Sequence, residues 1–155
     1  MHRTDLSGSP FYYASNFLDY RSSDGYYRKY RIVFIDRRPF PYHLAISMNW
    51  IVHYCTADMR ESQWKHEEEL AFLENPRKVL GESAMRAIAA VGLALDLDYC
   101  GVDFTQLSDG RILVFEANAT MLMHGESADS ELHYKNRHVQ KIFDAFHQRY
   151  LGLVS

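Results

Sequence analysis

Apolar side chains alternating at Tyr30, Ile32 and Phe34 predict a β-strand over Tyr26–Asp36 (YYRKYRIVFID). A turn at Arg37-Arg38-Pro39 leads into a second strand, Phe40–Ser47. The pattern then changes to a helical period. Ser62–Leu73 (SQWKHEEELAFL) reads as a helix with Ser62 as N-cap, and Trp64, Glu67, Glu68 and Ala71 give it only a narrow apolar face. Its three glutamates read as a solvated face. Asn75-Pro76 ends it. A second helix, about Val79–Leu95, carries Leu80, Ala84, Ile88, Val91 and Leu95 on one packing stripe. A last helix, about Leu132–Leu151, is expected to turn Val139, Ile142, Phe143, Phe146 and Tyr150 to the core. At the other end, residues 1–10 read as a loose entry segment. The aromatic run Phe11–Asp19 reads as a strand that stops at the turn cluster Tyr20–Gly25.

Between the last two helices, Tyr99–Asn118 (YCGVDFTQLSDGRILVFEAN) has the pattern of a hairpin turning at Ser108-Asp109-Gly110-Arg111. If Asp109-Gly110 is a two-residue type I′ loop, Asp103 falls directly opposite Glu116 and Asn118 shares their face. Opposed carboxylates lie about 4.5–5.5 Å apart at Cβ and destabilise a sheet unless something offsets them. A magnesium ion, which takes carboxylate and amide oxygens and keeps other positions for water and phosphate, suits such a trio. An edge hairpin with its polar side in water, or a register that separates the acids, are the alternatives.

Composition narrows the field. A 155-residue chain with 47% hydrophobic and 14% aromatic residues can build a core and is not a disordered chain. The net charge is −3 and the basic residues are scattered, so nucleic acid is not an expected partner. No apolar run approaches the length of a membrane span, and no membrane partner is expected. Cys55 and Cys100 sit in no metal-ligand spacing and read as reduced, buried thiols, which points to a cytoplasmic protein.

The hairpin run GVDF, DG, R and LVFEAN resembles the last hairpin of the ATP-grasp superfamily of carboxylate–amine ligases. In that family an aspartate on one strand, with a glutamate and an asparagine two apart on the next, holds the magnesium ions that bridge ATP phosphates. The resemblance puts these metal roles on Asp103, Glu116 and Asn118, with Mg2+ or Mn2+ and ATP as cofactors. RIVFIDRRPFPYHLA is similar to a family strand pair on the wall of the phosphate site, which makes Arg31 the expected catalytic and phosphate-binding arginine; Lys29 reads as a surface charge. Asn16, Phe17 and Leu18 match the hinge that reads the adenine edge. The resemblance therefore implies an α/β chain of α+β type: a mainly antiparallel sheet with packed helices, as in the ATP-grasp C-terminal subdomain. Its implied substrates are a small carboxylate and an amine.

Two departures qualify the resemblance. Where the family places a second arginine and a glycine-containing loop, this chain has Ser47-Met48-Asn49-Trp50-Ile51-Val52-His53-Tyr54, with His43 and His53 as the other available donors. Past Asn118, Met121-Leu122-Met123 replaces a small-residue loop, either to meet a bulky acceptor or to pack on the chain's own helix. The chain also begins almost at the hinge. Residues 11–155 are thus expected to form the catalytic lobe without the N-terminal domain and lid, binding Mg-ATP weakly, turning over only with a missing N-terminal half, and prone to self-association. A non-catalytic protein-interaction module on the same fold is the alternative function, and a metal-dependent phosphohydrolase a third.

Overall fold

The structure, a computed structural model, describes residues 16–154. The entry segment, residues 1–10, and the first part of the strand expected over 11–19 lie outside them. Two hairpins make one sheet. Tyr27–Ile35 (β1) and Arg38–Ser47 (β2) pair antiparallel through a two-residue turn, Asp36-Arg37, in which both residues have positive φ. That is the type I′ geometry whose twist matches flanking strands. The turn therefore falls one residue earlier than expected, and Pro39 lies within β2. β2 tolerates Pro39 and Pro41 because it is an edge strand: the sheet order is β2-β1-β3-β4, with Tyr99–Gln106 (β3) and Ile112–Asn118 (β4) as the second hairpin. All three pairings are antiparallel.

Gln63–Glu74 (α1) and Pro76–Leu95 (α2) cover one face. Tyr30, Ile32, Phe34, Leu44, Ile46, Val102 and Phe104 from the sheet meet Phe72, Leu73, Leu80, Ala84 and Ile88 from the helices. Asn75 caps α2 by accepting from the Lys78 amide, with Pro76 at the first helical position, where its missing N–H matters least. Gly81, at φ 84°, breaks α2 into a short first turn and the long segment behind it. Asn136–Val154 (α3) packs on the opposite face, where Val139 and Ile142 meet Val33, Ile35 and Tyr42 in a smaller core.

The fold is thus α+β, a four-stranded antiparallel sheet with three helices. Among the described residues no helix is long and apolar enough to cross a membrane. Several expectations need correction. Residues 16–19 form no strand. On α3, Phe143, Phe146 and Tyr150 are exposed, because the apolar face is wider than the strip of sheet it covers. Cys55 is exposed and Cys100 alone is buried. On α1, Glu69 is fully buried rather than solvated, and Lys65 and His66 are buried beside it.

Candidate metal and phosphate site

The second hairpin reaches the expected pairing by a different route. Its loop has three residues: Leu107 and Arg111 close it, with Gly110 at φ 84°. Pairs next to the loop therefore sum to 218, as in Phe104 opposite Val114. A bulge at Phe115 then restores the sum of 219, so that Asp103 lies opposite Glu116 and Gly101 opposite Asn118. One row across all four strands reads Glu116, Asp103, Arg31, His43.

The charges along that row are paired. Arg31 donates to both oxygens of Asp103, Nε to Oδ1 at 2.5 Å and a terminal nitrogen to Oδ2 at 2.9 Å, and Lys29 Nζ lies 3.1 Å from Oδ2. The Asp103 side chain is only 2% exposed. Burial pushes its carboxyl up, but the Arg31 hydrogen bond and the charges of Arg31 and Lys29 outweigh it and hold the pKa below the usual value. The repulsion between the opposed acids, which the sequence reading offset with a metal, is thus countered here by two cations. Lys29 is not the free surface charge expected. Glu116 is exposed and accepts from Asn118 Nδ2 at 3.3 Å, while Asn118 Oδ1 accepts from the Thr120 amide at 2.8 Å and its hydroxyl at 2.9 Å.

The donor set suits a hard cation: two carboxylates and an amide oxygen on neighbouring positions of one face. Among the described residues no three His, Cys, Asp or Glu side chains converge to hold a metal, and on this face the third oxygen donor beside the two carboxylates is the Asn118 amide, which Thr120 engages. The row is backed by a close approach. A Cβ at Gly101 would collide with the buried side chain of Met121, from the loop that follows Asn118. Met123 packs against the α3 core and Leu122 points to solvent, so the loop is partly packed on its own fold.

Asn16, Phe17 and Leu18 are brought close to this row by a cavity of about 620 Å³. Lys29 lines it, together with Trp50, Ile51, His53 and Phe115. The rings of Phe17 and Trp50 meet edge to face at 5.4 Å, and Tyr20 beneath them packs on Phe115 and donates to the Trp50 carbonyl. Phe17, Leu18, Trp50, Ile51 and Phe115 thus form an exposed apolar patch at this edge of the sheet. Among the tyrosines that follow, Tyr20, Tyr27 and Tyr30 are buried.

His43, at the far end of the row, is buried and stacked on Tyr54 at 4.7 Å, and its Nε2 has no hydrogen-bond partner among the described residues. Burial, with Lys135, Arg31, Lys29 and His124 nearby, holds its pKa well below 6.5. The unfolded chain therefore binds a proton that the folded chain refuses, and stability is expected to fall as pH drops below 6.5. Asp103 acts in the acid range: its contribution is complete above 3.8 and is lost as pH falls through its lower folded value. Urea titrations across pH will check both, and His43→Phe should flatten the upper slope without touching the lower.

The residue that sequence reasoning missed is Glu69. Its Oε1 accepts from the Leu44 amide at 3.0 Å, and its Oε2 from the hydroxyls of Tyr54 at 2.9 Å and Tyr134 at 2.6 Å. Lys135 Nζ stands 3.6 Å away and 4.0 Å over the Tyr54 ring. The available signal was spacing: Glu69 lies three and four residues before Phe72 and Leu73, on the face that α1 buries, whereas Trp64, Glu67 and Ala71 of the expected apolar face are exposed. Searches against protein-family models, curated proteins and solved structures return no match to this chain.

Proposed function

We propose that this chain is a metal and ATP-phosphate lobe of an ATP-grasp carboxylate–amine ligase. The observation that carries the reading is the row of Glu116, Asp103 and Arg31 across β4, β3 and β1, with Asn118 beside it and an aromatic cavity at its edge. Asp103, Glu116 and Asn118 would hold Mg2+ or Mn2+. A bound metal supplies charge neutralisation for the phosphoryl group in transfer. Arg31, with a planar fork of donors, and Lys29, as a point charge, would bind phosphate oxygens. Phe17 and Trp50 would hold a flat base, with Asn16 and Leu18 along its edge. In such a ligase the carboxylate substrate is phosphorylated and an amine displaces the phosphate; a cation pair beside two acids is suited to stabilise that charge.

Mg-ATP at one hundred times its Kd should stabilise the chain by about 2.7 kcal/mol, a rise of roughly 5–10 °C in melting temperature for a domain of this size. Glu116→Gln should abolish most of that rise. If the variant and the wild type respond alike, the ligand assignment fails. The exposed patch of Phe17, Leu18, Trp50, Ile51 and Phe115 favours a second reading, a non-catalytic interaction module. That reading predicts no response to Mg-ATP in either protein.

A further inference from the structure

Both Asp103 oxygens are held by cations, and those cations are themselves largely buried: the side chains of Arg31 and Lys29 are 18% and 16% exposed. Lys29, Arg31, Asp103 and Glu116 together carry no net charge. A lone divalent ion arriving at Asp103 would have to displace a bidentate guanidinium and sit beside two positive charges, and a desolvated cation left without its partner is strongly unfavourable. A lone polyphosphate would draw Arg31 and Lys29 away but lie against two carboxylates. Each ligand is opposed by half of the quartet.

We propose that metal and polyphosphate bind this face cooperatively, by exchange of ion-pair partners. Arg31 and Lys29 pass from Asp103 to phosphate oxygens as Asp103 and Glu116 pass to the metal, so each ligand removes the obstacle to the other. By linkage the two affinities rise by the same factor. The inference rests on the metal and phosphate reading above, and it changes one expectation drawn from the hairpin: metal by itself is a poor ligand here.

The test uses Mn2+ alone, inorganic tripolyphosphate alone in metal-free buffer, and the two together. Binding is read by isothermal titration calorimetry, with the Mn2+–tripolyphosphate complex formed beforehand in the combined arm, and from the thermal midpoint. Wild type should bind Mn2+ tripolyphosphate more than tenfold tighter than Mn2+ alone, within the range of about 5- to 150-fold usual for linked sites. Neither ligand alone should move the midpoint appreciably. Arg31→Gln releases one partner of Asp103, and Mn2+ alone should then bind detectably; Lys29→Gln should do so in smaller degree and serves if the arginine variant does not fold. Equal affinity for Mn2+ with and without tripolyphosphate overturns the exchange and leaves the metal site standing. No response to any combination overturns both.

Discussion

Glu69→Ala should destabilise the fold by about 3–5 kcal/mol, the usual effect of removing one member of a buried, hydrogen-bonded charge pair. Total stability of a domain is only about 5–15 kcal/mol, so the variant will be near its unfolding threshold. Four groups lose their acceptor at once: the Leu44 amide on β2, the hydroxyls of Tyr54 and Tyr134, and the ammonium of Lys135. These come from the sheet and from the turns at 54–56 and 133–135, so one carboxylate ties α1 to three separate segments. Burial raises the pKa of both tyrosines, reinforced by the Glu69 charge, while burial lowers that of Lys135 against the pull of Glu69. Glu69→Gln, which keeps a carbonyl acceptor, should fall between wild type and alanine. Urea denaturation measures all three. A loss under about 1 kcal/mol in Glu69→Ala, no more than one ordinary hydrogen bond, would show that the network does not hold these segments.

Asp103→Ala should lower stability by about 3 kcal/mol, because it leaves Arg31 and Lys29 facing each other in a largely buried position. Glu116→Gln removes a carboxylate from the same row and should change stability by no more than about 0.5 kcal/mol, as expected of an exposed position. Both variants should lose the response to Mg-ATP. The contrast separates two roles that one row would combine: Asp103 holds the sheet and would hold a ligand, whereas Glu116 would serve a ligand alone. If Asp103→Ala unfolds at the wild-type urea concentration, its ion pairs are not part of the fold's stability.

The residues that could be read from the sequence are those whose signal is local. β1 follows from the alternation at Tyr30, Ile32 and Phe34, and α2 from its apolar stripe, although Asn75-Pro76, expected only to end α1, also opens α2 three residues before the expected Val79. The pairing of Asp103 with Glu116 was also legible, though through two offsetting departures: Gly110 lengthens the loop by one residue and the bulge at Phe115 returns it. What was not legible depends on distant partners. Glu69 looks like a surface charge until Leu44, Tyr54 and Tyr134 are brought to it from other elements. Lys29 is a strand lysine until β3 sets Asp103 within its reach. Phe143, Phe146 and Tyr150 share the apolar face of α3, but the pattern does not say how much sheet lies beneath it. The wall made by Trp50 and Ile51 lies in a stretch without periodicity, and only the fold places it across from Phe17.

Paramagnetic broadening by Mn2+-ATP in the amide NMR spectrum shows whether a metal-bound nucleoside triphosphate sits on the β1, β3 and β4 face. The amides of Asp103, Glu116, Ala117 and Asn118 should broaden first, with Arg31 close behind, and the effect should disappear in Glu116→Gln. Broadening centred instead on Asp58, Glu61 and Glu126, the acidic side chains of a separate cavity, or spread without a centre, would mean that the nucleotide does not bind on this face.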